Sequence, residues 1–165
     1  MKPILALDPS GTSTTGIFLY QNWNNYKIAS FTSENWLEQA ENIKNLTKKE
    51  QVKIIACETS SLWQKQRFNY HFNNLIKLVG AIEYFSQELE VEYVGVGNHH
   101  LKNWEEQARE GNIAGLVMKE EKGKGRPKLV WYFKGQKLNE HEKDAVLIFY
   151  VYWTRFLKKD WPFTD

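Results

Sequence analysis

Two short, almost wholly apolar runs stand out along the chain, and each of them ends in a carboxylate. Residues 3–8 read PILALD, and residues 53–58 read KIIACE. Such brief hydrophobic runs without polar alternation are typical of strands that are buried on both faces of a sheet. We therefore predict two central strands, the first ending at Asp8 and the second at Glu58.

The rest of the pattern predicts three further strands and four helices. The segments TGIFLYQN and NYKIASFT are expected to form a hairpin across the polar NWNN, and VEYVGVG (91–97) is a further strand candidate. Helical spacing or capping signals occur in SENWLEQAENIKNLTKKEQ with Ser33 as N-cap, at about 66–89, in NHHLKNWEEQAREGN, and from about Asn139 to about Lys158. Residues 118–139 are basic and contain glycines, and their first part is predicted to be a mobile loop.

The order of these elements predicts an α/β fold. Three antiparallel strands are followed by strands that alternate with helices, which indicates a mixed five-stranded sheet flanked by helices. We find no internal repeat and no linker-like composition, so residues 1–165 are expected to form a single domain.

Composition adds only broad limits to this picture. The chain is 42% hydrophobic and 25% charged, as globular proteins are, and its net charge of +2 does not by itself argue for nucleic acid. The single cysteine, Cys57, allows no internal disulfide. No signal-peptide pattern or long apolar run is present, so we expect a soluble cytoplasmic protein without membrane contact.

The last predicted helix carries polar residues on its core-facing side. Its apolar positions follow helical spacing: Ala145, Ile148, Phe149, Tyr152, Trp153 and Phe156. One turn back, the same side carries His141 and Asp144, and a capping box of Asn139 and Glu142 sets the helix start there. A buried aspartate is costly unless it is paired or binds an ion, so this side chain is expected to meet Asp8 and Glu58 in a Mg²⁺ or Mn²⁺ site.

Each of these residues also has an ordinary structural explanation. Asp8 suits a turn, Glu58 suits a strand end at the surface, and Asp144 suits the first turn of a helix, where it interacts with the helix dipole. His141 alone is more often a hydrogen-bonded histidine than a metal ligand. Their joint placement at one sheet edge favours the site.

Three motifs in this order resemble the RuvC-type Holliday junction resolvases, which have the RNase H-like fold. They are LALDPSGTSTTG, IIACETS and HEKDA, and the resemblance spans about residues 1 to 157. It implies that Asp8, Glu58, His141 and Asp144 are the four metal-binding and catalytic positions. It also implies catalytic lysines, for which the nearest counterparts are Lys102 and Lys128.

The resemblance further implies a homodimeric, structure-selective endodeoxyribonuclease that cuts four-way junctions in symmetric pairs. Two Mg²⁺ or Mn²⁺ ions per site would be used, Asp8 bridging them, and the products would carry 5′-phosphate and 3′-hydroxyl ends. DNA binding is expected from basic residues late in the chain: Lys119, Lys122, Lys124, Arg126, Lys128, Lys134 and Lys137. A second expected contact is the mixed aromatic and cationic segment with Trp63, Arg67 and Phe68. An ordinary solvated loop and a helix start with core aromatics remain alternatives for these two segments.

Three other functions fit parts of the sequence. The first motif also resembles the phosphate loop of the actin and sugar-kinase ATPases, but those enzymes enclose nucleotide between two such domains and need a longer chain. We therefore expect no nucleotide cofactor. A nuclease of the same fold that acts on other branched DNA or on an RNA–DNA hybrid is the second alternative. A non-catalytic nucleic-acid-binding module is the third.

Overall fold

The central element of the fold is a mixed five-stranded sheet. The structure is a computed structural model, which describes residues 2–59, 70–122 and 127–163 but not the side chains of 98–100 and 102. The strand order is β3-β2-β1-β4-β5, in which β1 pairs antiparallel with β2 and parallel with β4. The strands are β1 (Ile4–Asp8), β2 (Thr14–Asn22), β3 (Asn25–Thr32), β4 (Ile54–Thr59) and β5 (Glu92–Gly97). This confirms the predicted sheet, with the two apolar runs as adjacent central strands.

Four helices flank the sheet, and the last continues into a π-helical turn over Tyr152–Phe156. They are α1 (Trp36–Lys49), α2 (Tyr70–Glu88), α3 (Asn98–Arg109) and α4 (Glu140–Val151). The prediction of Ser33 as the first N-cap was wrong: Asn35 caps α1 by accepting from the Leu37 N–H, whereas Ser33 donates to Glu38. None of the helices in the described ranges combines the length and hydropathy needed to cross a bilayer.

A second, three-stranded antiparallel sheet lies between α3 and α4, and its strands are β6 (Leu116–Glu121), β7 (Lys128–Phe133) and β8 (Gln136–Leu138). The predicted mobile loop was therefore wrong for residues 118–121. Alternate side chains of this sheet are buried in the core, including Leu116, Trp131 and Phe133, while the lysines between them face outward. The frequent lysines and glutamates masked this two-residue period in the sequence.

The alternation of side chains along β1 divides the core into two layers. Ile4 and Ala6 pack on the α4 side, and Leu5 and Leu7 pack on the side of α1 and α2. The α4 layer is rich in aromatic rings, such as Phe18 and Phe149 with centroids 4.7 Å apart. Helix α4 is buried on nearly all sides, whereas Phe156, the last position of the predicted stripe, is 46% exposed. The prediction that Phe156 faces the core was therefore wrong.

Candidate active site

The register of the two central strands places their terminal carboxylates side by side on one face. Leu7 pairs with Cys57, so Asp8 and Glu58 are the next residues on parallel strands. Ala6 and Ala56 both lie on the α4 side, and the two-residue period of strands puts Asp8 and Glu58 on that side as well. Asp8 is only 7% exposed, and Glu58 hydrogen-bonds it. The meeting of these two acids follows from their positions in β1 and β4.

Two glycines after Asp8 allow close backbone contacts that shape the site. A Cβ on Gly16 would lie 1.9 Å from the carbonyl oxygen of His141, so only glycine lets the first turn of α4 cross β2 at this point. Gly11 has a φ of +73°, and a Cβ there would lie 2.5 Å from the backbone nitrogen of Leu75 in α2. These contacts explain why glycines punctuate the segment between β1 and β2.

The threonine-rich turn between β1 and β2 is held by buried polar contacts. Thr15 accepts from the Ser10 N–H over 3.2 Å and donates to the side chain of Gln39, which is fully buried. Gln39 in turn donates to the carbonyl oxygens of Ser13 and Ser33 over 3.2 and 2.7 Å. Since buried polar groups are costly to leave unpaired, this network fixes the turn that follows Asp8.

The start of α4 is equally well fixed, which places His141 over Asp8. The Asn139 and Glu142 capping box is present as predicted, and both residues also hydrogen-bond Ser30 of β3 over 2.9 Å. From this first turn, the His141 Nδ1–H donates to Asp8 Oδ2 over 2.6 Å. The side chain of His141 is 38% exposed, so the ring remains accessible from solvent.

The site carries more negative charge than its surroundings compensate. Burial, the hydrogen bond that the protonated Glu58 carboxyl donates to Asp8, and the charges of Asp8 and Asp144 raise the pKa of Glu58 to about 8. Burial raises the pKa of Asp144 to about 6, although Lys143 opposes the shift. The hydrogen bond to Asp8 raises the pKa of His141. Adjacent carboxylates with raised pKa values are typical of sites that bind a cation or transfer protons.

A buried lysine, missed in the sequence, contacts one of these acids. Lys143 is 3% exposed, and its Nζ lies 3.0 Å from Asp144 Oδ1, 3.0 Å from Glu140 Oε2 and 3.2 Å from Glu105 Oε2. Position 143 lies off the apolar stripe of α4, so the helical spacing does not identify this lysine as buried. Only the packing of α3 and β7 against α4 buries it.

The other predicted site residues lie on or next to the second sheet, or outside the described residues. Lys128 is exposed at the start of β7, in register with Glu121 of β6. Lys119 and Lys137 share its outward face, Lys122 follows β6, and Lys134 lies in the turn before β8. The remaining positions lie outside the described residues, or have side chains that do: Trp63, Arg67, Phe68, Lys102, Lys124 and Arg126.

The donor set has the chemistry that Mg²⁺ or Mn²⁺ needs, but its side chains are engaged with one another. Within residues 2–59, 70–122 and 127–163, no three His, Cys, Asp or Glu side chains are arranged to hold a metal ion. Instead, His141 bonds Asp8 and Lys143 bonds Asp144. Burial and then the charges of Asp8 and Asp144 raise the pKa of Glu58, and a divalent cation would relieve this cost of ionising it.

Comparisons with known proteins place this geometry on a recognised fold. No family model and no curated protein matches the chain. Among solved structures, Thermus thermophilus RuvC in complex with a Holliday junction substrate covers 97% of this chain and 99% of its own, at 12% identity and a TM-score of 0.60. The chain has the RuvC fold. A second Thermus thermophilus RuvC structure covers 93% of this chain and 96% of its own, at 12% identity and a TM-score of 0.53. The RuvC resemblance in the sequence motifs is thereby confirmed for the fold.

Proposed function

We propose that this chain is a divalent-cation-dependent endonuclease that cleaves four-way DNA junctions. The observation that carries the proposal is the convergence of Asp8, Glu58, His141 and Asp144 from three elements onto one sheet edge of a RuvC fold. A structural role would not require three carboxylates to approach one another with so little compensating charge. We infer that the three carboxylates are kept close together, despite their repulsion, because catalysis needs them.

The residues have complementary roles in the proposed reaction. Asp8 contacts both Glu58 and His141, so it is the central ligand, and Glu58 and Asp144 would complete the cation site. Bound Mg²⁺ or Mn²⁺ would lower the pKa of an attacking water and offset charge on the phosphate during hydrolysis. His141 orients Asp8 through Nδ1, which leaves Nε2 as the ring atom available to a ligand. Hydrolysis in this way would leave 5′-phosphate and 3′-hydroxyl ends.

The outward face of the second sheet is the proposed DNA contact. Lys119, Lys128 and Lys137 project from it, with Lys119 Nζ 5.4 Å from the centroid of the Tyr132 ring. One of these charges is offset, because Lys137 pairs with Glu121 over 2.6 Å. The chain passes directly from β8 of this sheet into α4, the helix that carries His141 and Asp144. Lysines in such a position would neutralise phosphates without reading sequence.

Symmetric cleavage of a junction also requires two sites, so we propose that the protein acts as a homodimer. The outward side of α2 is the proposed interface, because it exposes large apolar side chains while Leu78, Ile82 and Phe85 fill the core. The exposed set comprises Tyr70, Ile76 and Tyr84, which are 68%, 37% and 72% exposed.

A substrate panel tests the proposal. Labelled four-way junction, duplex, flap and RNA–DNA hybrid are incubated with the wild-type protein, with Asp8→Asn and with the exposed control Asp160→Asn, each in Mg²⁺ and in Mn²⁺. We expect junction cleavage that Asp8→Asn abolishes and Asp160→Asn retains. Cleavage of a different substrate, without cleavage of the junction, would support the proposed catalytic site and reject the four-way junction as substrate. Junction binding without any cleavage would leave a binding module and reject the enzyme.

A further inference from the structure

The most buried cation in the described chain lies directly beside the proposed site. The side chain of Lys143 is 3% exposed, and its ammonium group lies 3.0 Å from Asp144 Oδ1. The ring of Trp131 encloses it on another side, with 5.8 Å between Nζ and the ring centroid. An ammonium group that moved out to water would lose three ion pairs and the contact with the ring, so we treat it as a fixed charge of this site.

Asp144 is the partner that depends most on this charge. Glu140, the second carboxylate near Lys143, is 72% exposed and is therefore solvated by water. Glu105, the third, also pairs with Arg109 over 2.7 Å. Asp144 is 30% exposed and has no other ion pair among the described residues. The positive charge of Lys143 therefore compensates chiefly the carboxylate that the proposed function assigns to the cation site.

The charge of the DNA-free site then matches one divalent cation. Asp8, Glu58 and Asp144 contribute three negative charges when ionised, and Lys143 supplies one positive charge. When His141, which contacts Asp8, is neutral, two negative charges are left to be neutralised. The contacts agree with this count, because Asp8 and Glu58 touch each other while Asp144 is already held by Lys143. Two divalent cations would bring four positive charges to a site that already holds a fixed ammonium group, and these like charges would repel one another.

We propose, on the basis of the proposed function, that Lys143 replaces one of the two cations expected from the family resemblance. The DNA-free protein then binds a single divalent cation, held by Asp8 and Glu58, while the Lys143 ammonium group balances Asp144. Lys143 is in this sense a positioning residue, because it acts through Asp144. A purely structural role, joining α3 to α4 through Glu105, would affect stability but not the number of bound ions.

Counting bound Mn²⁺ tests this proposal directly. The full-length protein is titrated with Mn²⁺ and free ion is measured by electron paramagnetic resonance, for wild type, Lys143→Met, Lys143→Arg and Lys44→Met. Lys44 is the matched control, because it forms a surface ion pair with Glu88 over 2.9 Å, in α1 and α2. We expect one ion per chain for wild type, Lys143→Arg and Lys44→Met, and two for Lys143→Met.

Anomalous diffraction from Mn²⁺-soaked crystals of the wild-type protein locates the ion and does not depend on any variant folding. One peak between Asp8 and Glu58 would support the proposal, whereas two peaks, or one peak at Asp144, would overturn it and leave the nuclease intact. A folded Lys143→Met that still binds one ion would also overturn it. Absence of any Mn²⁺ binding by the wild type would overturn the cation dependence of the proposed function, and this inference with it.

Discussion

Replacing Glu58 with glutamine should make the cation-free protein more stable, and increasingly so as the pH rises. Glu58 has its pKa raised from 4.5 to about 8, chiefly by burial and then by Asp8. The folded state therefore binds this proton more tightly than the unfolded state does. Between these two pKa values, the folded protein keeps Glu58 protonated while the unfolded chain has already lost that proton. The free energy of unfolding must therefore fall as the pH rises.

The expected size of the effect follows from this shift. One pKa unit corresponds to about 1.4 kcal/mol, so Glu58 should remove about 2 kcal/mol from the free energy of unfolding between about pH 5 and about pH 7. Glu58→Gln keeps the shape of the side chain and removes the ionisation. The variant should therefore lose less stability than the wild type over this interval. The other shifted groups, Asp144 and His141, remain in both proteins and contribute to both curves.

Urea unfolding followed by tryptophan fluorescence across this pH range measures the difference. Glu34→Gln, which changes an exposed glutamate, is the control and should follow the wild type. Added Mg²⁺ or Mn²⁺ should stabilise the wild type but not Glu58→Gln, since a ligand that binds only the folded state raises its stability. Parallel pH curves for wild type and Glu58→Gln would refute the view that Glu58 is an uncompensated charge.

Three further predictions test the rest of the account. Gly16→Ala should cost about 1–3 kcal/mol of unfolding free energy and more than about tenfold in cleavage rate by displacing the first turn of α4, whereas Gly80→Ala, which has open space, should cost neither. Lys119→Ala and Lys128→Ala should each lower the slope of log binding constant against log salt by about 0.9, and an unchanged slope would exclude that lysine from phosphate contact. Tyr84→Glu should convert a dimer to a monomer in sedimentation, and a persisting dimer would reject the α2 interface.

Local chemistry in the sequence was sufficient to predict the central sheet and the meeting of the acids. An apolar run that ends in a carboxylate identifies both strand and terminus, and the Asn139 and Glu142 capping box marks where α4 begins. Since Asp8 and Glu58 lie at the carboxyl ends of adjacent parallel strands, their proximity needs no tertiary information beyond strand order. The spacing along α4 predicted that His141 faces this sheet edge, and the structure shows that it contacts Asp8 there.

The features that were missed depend on tertiary contacts. Residues 118–121 form a strand because Leu116 and Met118 pack on the core, and the surrounding lysines and glutamates conceal that alternation. Lys143 is buried by neighbouring elements, including α3, which contributes Glu105. Asn35 caps α1 in place of Ser33 because the chain enters the helix two residues later than the polar pattern indicated. The strand and the buried lysine depend on contacts with residues that are distant in the sequence. The helix cap depends on a choice between two nearby residues, Ser33 and Asn35, that can both cap a helix.

Mapping the ends produced from a four-way junction tests the central claim most directly. Each strand is labelled in turn, the nicks are located to the nucleotide, and the nicked products are treated with DNA ligase. The account predicts nicks at symmetric positions in two opposed strands, resealed by ligase because they carry 5′-phosphate and 3′-hydroxyl ends, and absent with Asp8→Asn. Unpaired or scattered nicks, ends that ligase cannot join, or nicking that survives Asp8→Asn would contradict it.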